Sequence, residues 1–120
     1  MEPARRGRSM GKFAVGAVVL VMFPFSNLKG QKLRPALVLA NVEFGNLILC
    51  QITSKPYTSK IAISLKSTDF AQGSLPVASF VRPDKLFTAD TTIIKNTVGQ
   101  LASKSIKAIL QNVCKLFVRL

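Results

Sequence analysis

The run VGAVVLVMF, Val15 to Phe23, constrains this chain more than any other stretch. It is apolar and rich in β-branched residues at both alternating positions, so as a strand it would carry hydrophobic side chains on both faces. Such a strand must lie inside a sheet that is covered on two sides. Pro24 then stops it, because proline has no N–H to give to a ladder. From Pro24 to Leu33 the chain mixes Pro, Ser, Asn, Gly and Lys, which predicts a long exposed loop with Gly30 as its flexible point. A second strand starts at Arg34 with RPALVLANV, and Pro35 must sit at a strand start or an edge. Asn41 to Asn46 supplies turn chemistry centred on Gly45-Asn46, and Leu47 to Thr53 forms the third strand of a meander.

Beyond a Lys/Pro/Thr/Ser linker, Ile61 to Leu65 alternates large and small residues as a half-buried strand does. Val77 to Val81 and Thr92 to Val98 are two further short strands, separated by Arg82-Pro83-Asp84-Lys85 and a brief Leu86-Phe87 contact. The period changes only at Ser103. Ile106, Ile109, Leu110, Val113, Leu116 and Phe117 recur at helical spacing, which predicts a helix over 103–117 with Ser103 as N-cap and Lys115 near its C-terminal dipole. The whole reads as mainly β with a C-terminal α-helix, a small and partly closed β-barrel with one helical lid. With 120 residues, 48% of them hydrophobic, the chain suits one domain. Residues 13–120 form that domain, and residues 1–12 read as a flexible basic arm.

Arg5, Arg6 and Arg8 ahead of an apolar run imitate an export signal. The run is too short to span a bilayer as a helix and no small-residue cleavage site follows it, so a cytoplasmic protein is expected. Met10-Gly11 reads as a native start behind an appended segment. Cys50 and Cys114 match no metal or redox spacing and read as two buried free thiols.

Seventeen Lys and Arg against five Asp and Glu give a net charge of +12, and +10 remains without residues 1–10. A polyanionic partner follows from that field. The chain has no histidine, which excludes imidazole-based nucleophilic triads, two-histidine ribonuclease sites and imidazole metal ligands. Glu43, Asp69, Asp84 and Asp90 are too scattered for a paired-carboxylate metal site. No phosphate-cradling glycine motif occurs. No metal and no cofactor are expected.

Arg34 stands where the predicted loop meets a rigid strand, and Pro35 restrains its exit, so its guanidinium suits a bidentate grip on phosphate. In a three-strand meander the end of strand three can lie beside the start of strand two, which could bring Thr53 to Arg34. An ordinary surface arginine and a turn-forming threonine remain the plainer alternatives. Phe23, Phe25, Lys29 and Lys32 could stack on bases and contact phosphates.

The blocks VGAVVLVMFPFSNLKGQKLRPALVLA, QITSK, DFAQGSLPVASFVRPDKLFTAD and IIKNTVGQL together resemble the MazF/PemK family of toxin endoribonucleases, across nearly all of Val15 to Leu101. The resemblance implies an SH3-like small β-barrel (CcdB/MazF-like fold) acting as a homodimer. It implies the toxin of a type II toxin-antitoxin system, cutting single-stranded mRNA at short sequences without a metal and so inhibiting translation and growth. Arg34 and Thr53 match the family's catalytic pair. Phe25, Ser26, Asn27, Lys29, Lys32, Gln51, Ser54 and Lys55 are the implied RNA-binding residues, and an antitoxin with an acidic tail is the implied partner. Where the family usually has Gly-Asp, this chain has Gly16-Ala17. The gyrase-poisoning CcdB relatives end in Trp-Gly-Ile, whereas this chain has no Trp and ends Phe117-Val118-Arg119-Leu120. A gyrase poison or a noncatalytic basic RNA-binding barrel is therefore the weaker alternative.

Overall fold

In the computed structural model, residues 13–24, 31–55 and 59–118 are described; the basic arm expected over 1–12 lies outside them. Strands β1 (Ala17–Pro24), β2 (Gln31–Asn41) and β3 (Asn46–Thr53) carry the apolar runs and form an antiparallel meander. Adjacent residues point to opposite faces, yet Val18 and Val19 on β1, Leu37 and Val38 on β2, and Leu49 and Cys50 on β3 are all 1% exposed or less. The sheet is thus buried on both sides, as the β1 sequence demanded. One core joins Val18, Leu37, Cys50 and Ile52 to the helix; the other gathers Val19, Val21, Ala36, Val38 and Leu49 on the opposite face.

The remaining strands are β4 (Ile63–Leu65), β5 (Phe70–Gly73), β6 (Ser79–Asp90) and β7 (Ile94–Leu101). Their order in the single antiparallel sheet is β4-β6-β3-β2-β1-β7-β5, curled into a half-barrel. Helix α1 (Ser103–Lys115) packs Ile109 and Val113 into the core. No helix among the described residues is long and apolar enough to cross a membrane.

Several expectations change. β2 begins at Gln31, because Met22, Phe23 and Pro24 pair with Leu33, Lys32 and Gln31, so the predicted loop over 24–33 is shorter at its C-terminal side. Pro35 is inside β2, opposite Leu20, but beyond the last rung to β3 at Ala36 and Gln51. Its missing donor falls where β2 has no second neighbour. The two strands predicted over 77–81 and 92–98 are replaced by a twelve-residue β6 and by β7. The charged interval does not break β6: its pairing with β3 jumps from Leu86 to Arg82, so Pro83, Asp84 and Lys85 bulge out of the ladder while the strand continues. β5 had no sequence signal beyond Phe70 and follows a turn over Ser67–Asp69.

Ser103 is not the N-cap of α1. Ala102 holds that place without a side-chain bond. Asp69 fastens the helix instead: its Oδ1 accepts the Ser105 hydroxyl at 2.7 Å, and its carbonyl accepts the Ala102 N–H at 2.8 Å. Phe117 falls past the helix end and is 69% exposed, so the apolar stripe stops short of it. Cys114 is exposed too, because it faces away from Ile109 and Val113; only Cys50 is buried.

Burial, assisted by the negative charge of Asp84, pushes the Cys50 thiol up to about 12. Thiolate is the reactive form. An aromatic disulfide reagent should therefore titrate one thiol in the folded protein and two after denaturation; two fast equivalents in the native state would contradict the placement of Cys50. Gly45 and Gly73 both have left-handed backbones, at φ +73° and +74°, but a Cβ at Gly45 meets nothing, whereas one at Gly73 would strike the Val98 carbonyl and lie 2.7 Å from Gly99 Cα. Gly45→Ala should cost about 1 kcal/mol of backbone strain and Gly73→Ala at least about 2 kcal/mol, read from denaturant midpoints. Equal losses would mean that β5 and β7 need no such close approach.

Candidate functional site

The rungs between β2 and β3 include Val38 with Leu49, Leu37 with Cys50 and Ala36 with Gln51, and there they end. Two further steps along the same register set Arg34 opposite Thr53. No rung joins them. β2 keeps β1 as a neighbour as far as Gln31, and Thr53 remains paired to Phe80 of β6, so the two strands part while each stays anchored on its far side. A groove of about 640 Å³ opens at this parting.

Lys32, Arg34 and Lys55 line the groove, and all three are exposed. Thr53 and Ser54 bring hydroxyls; Leu20, Pro35 and Ile52 are apolar lining, and Leu75, Pro76 and Val77 form a facing wall. No carboxylate is among the described residues that line it, so the lining itself is positively charged. The Thr53 hydroxyl is oriented by a short turn: Oγ1 accepts the Lys55 N–H at 3.0 Å, and its own proton lies toward the Lys55 carbonyl at 3.4 Å. Thr53 therefore is the turn former that its strand-end position suggested, and it also faces Arg34's groove.

Of the expected RNA-binding residues, Lys32, Ser54 and Lys55 line this groove, while Phe25, Ser26, Asn27 and Lys29 lie outside the described residues. Gln51 is exposed but lies one rung inside, between Ala36 and Arg82, and is not part of the lining. The wall over 75–77 was missed because Val77 reads as the start of a strand. Gly73-Ser74-Leu75-Pro76 carries the turn chemistry that could have revealed it.

Arg82 was read as part of a spacer. Its guanidinium grips Asp84 through two bonds, Nε to Oδ1 at 3.0 Å and Nη2 to Oδ2 at 2.9 Å, bracketing the buried Pro83. This pair holds the bulge beside Gln51. The bond from Arg82 is the main cause that holds the Asp84 carboxyl below its ordinary value. No group of three or more His, Cys, Asp or Glu among the described residues could hold a metal ion.

Residues 14–117 match the family described as PemK-like, MazF-like toxin of type II toxin-antitoxin system. The chain belongs to that family. Solved structures share its fold. A chain in the crystal structure of MazE-MazF (Form-III) from Deinococcus radiodurans is 20% identical with a TM-score of 0.68, covering 85% of this chain and 92% of its own. Mycobacterium tuberculosis toxin MazF-mt6 is 16% identical with a TM-score of 0.65, over 84% and 95% of the two chains. An endoribonuclease in complex with its cognate antitoxin, from Mycobacterial species, is 14% identical with a TM-score of 0.68, over 88% and 95%. No curated protein matches.

Ala17, where the sequence resemblance leads to an expected Asp, is 3% exposed and packs in the core with Val19 and Val21. At this position the toxin buries a methyl group in an apolar cluster, a site that would penalise an unpaired carboxylate.

Because the folded carboxyl of Asp84 titrates below its unfolded counterpart, the Arg82 pair contributes fully above the ordinary carboxylate range and is lost as pH falls through the lowered value. Asp84→Asn should accordingly lose less stability between neutrality and about pH 3 than the parent does. Urea midpoints across that range test this; parallel pH slopes for the two proteins would remove the linkage.

Proposed function

We propose that this toxin is a metal-independent endoribonuclease that cuts single-stranded mRNA at short sequences, with Arg34 and Thr53 as its catalytic pair. The observation that carries the reading is that one guanidinium and one oriented hydroxyl line a single cationic, carboxylate-free groove. The solved relatives described as endoribonucleases support it.

RNA brings its own nucleophile. The 2′-hydroxyl attacks the adjacent phosphorus, the bond to the 5′-oxygen breaks, and the products are a 2′,3′-cyclic phosphate and a 5′-hydroxyl. The protein's task is then to hold the attacking oxygen in line and to stabilise the charge that grows on the phosphorane. Arg34 does so with paired N–H donors to the nonbridging oxygens; a guanidinium retains its proton and is unsuited to act as base. Thr53 bonds the scissile phosphate or the 2′-oxygen. Its Oγ1 already accepts the Lys55 N–H, which fixes the direction in which it presents its remaining capacity. Lys32 and Lys55 hold flanking phosphates and Ser54 orients the strand; further RNA contacts are assigned to Phe25, Ser26, Asn27 and Lys29.

The functional unit is a homodimer in the cytoplasm, formed by the single domain over 13–120. An antitoxin with an acidic tail occupies the same groove, in keeping with the MazE-MazF and endoribonuclease–antitoxin structures among the relatives.

Arg34→Ala should lower the cleavage rate at least about a hundredfold, equivalent to about 2.7 kcal/mol of transition-state stabilisation. Incubation of the purified protein and this variant with a long RNA in EDTA, followed by mapping of 5′ ends, tests it. Discrete cuts by the parent alone are the expected result. Equal cutting by a folded Arg34→Ala protein would remove the assignment, and RNA that is retarded but intact would reduce the parent to a binder.

A further inference from the structure

A second cleft of about 270 Å³ lies between the Leu65–Ser67 corner and the segment 74–79. Leu75, Pro76, Val77 and Ser79 line this cleft and also the Arg34 groove, so one segment forms a wall common to both. Ser79, 5% exposed, holds that wall by donating its hydroxyl to the Val77 carbonyl at 2.9 Å. Val77, 59% exposed, and Pro76 are apolar and face solvent along it.

The charge pattern continues across the wall. Lys66 is the cation of the second cleft, and no carboxylate lines it. Asp69, the nearest acid in sequence, is committed elsewhere: Oδ2 accepts the Lys66 backbone N–H at 2.7 Å and Oδ1 accepts the Ser105 hydroxyl at 2.7 Å. The first bond fixes the backbone from which the Lys66 side chain departs. The exposed Lys66 ammonium makes no ion pair with a carboxylate among the described residues. Ser67 and Ser74 add exposed hydroxyls.

We propose that this cleft is a second RNA subsite, holding nucleotides of the bound strand beyond the one that is cut, with Lys66 as its phosphate contact. The inference rests on the RNA reading of the Arg34 groove. A positively charged path with exposed apolar surface between its cations suits a single strand, whose bases need a surface to lie on while phosphates meet lysines. The two clefts joined by a wall give that strand a continuous course.

The test uses the whole protein and 2′-O-methyl oligoribonucleotides, which cannot be cut, of about 4 and about 16 nucleotides, the range of single-strand site sizes. Lys66→Ala should leave binding of the short probe unchanged, weaken binding of the long one, and lower its salt slope by about 0.7. Lys66→Arg should restore the slope, and Lys107→Ala, on the exposed side of α1, should leave both probes unaffected. Equal effects on both lengths, or an unchanged slope for the long probe, overturns the subsite. If Lys66→Ala has no effect while unmodified RNA is still cleaved, the subsite fails and the nuclease reading stands. If the long probe responds as expected while unmodified RNA stays intact, the reverse holds.

Discussion

Burial of both faces of β1, β2 and β3 is the constraint on which the rest of the molecule depends. A strand with one wet face tolerates some slippage; a strand with Val18 and Val19 both excluded from water cannot shift by one residue without exchanging its two cores. The register is therefore rigid, and it is this register that brings β2 and β3 to their parting at Ala36 and Gln51. The groove is a by-product of where the ladder ends. Hydrogen bonds to β1 on one side and to β6 on the other keep the separated strands from collapsing into it.

The fold was readable wherever hydrophobic period carried it. VGAVVLVMF announced a doubly covered strand, and the shift to helical spacing after Ser103 announced α1. Local rules failed where distant partners decided the outcome. Pro35 is tolerated inside β2 only because β3 has already left, which no window around residue 35 reveals. Arg82-Pro83-Asp84-Lys85 looks like an interruption, yet the bidentate ion pair closes the bulge and lets β6 run on. Ser103 had the right chemistry for a cap, but Asp69, more than thirty positions earlier, engages the neighbouring Ser105 instead.

For the site, the composition narrowed the chemistry and the spacing suggested a meeting of Arg34 with Thr53. The opposite wall is only half legible: the turn chemistry of Gly73 to Pro76 is visible in the sequence, but its place against the groove is not. Leu75, Pro76 and Val77 reach the groove through the irregular segment between β5 and β6, and such a crossing is set by the curl of the entire sheet. The same curl explains why Gln51, two residues from Thr53, stays outside: it sits where β3 still has neighbours on both sides.

Helix α1 is made after β1 to β7, yet Ile109 and Val113 contribute to one of the two cores. Until the ribosome has made α1, the core of Val18, Leu37 and Ile52 has Leu65, Val81 and Leu101 but lacks the cover that Ile109 and Val113 give it. Vectorial synthesis thus delays completion of this core until α1 has emerged. Nascent fragments that stop before α1 would expose part of this oily surface to chaperones and proteases, so competence arrives with α1 rather than with the groove itself.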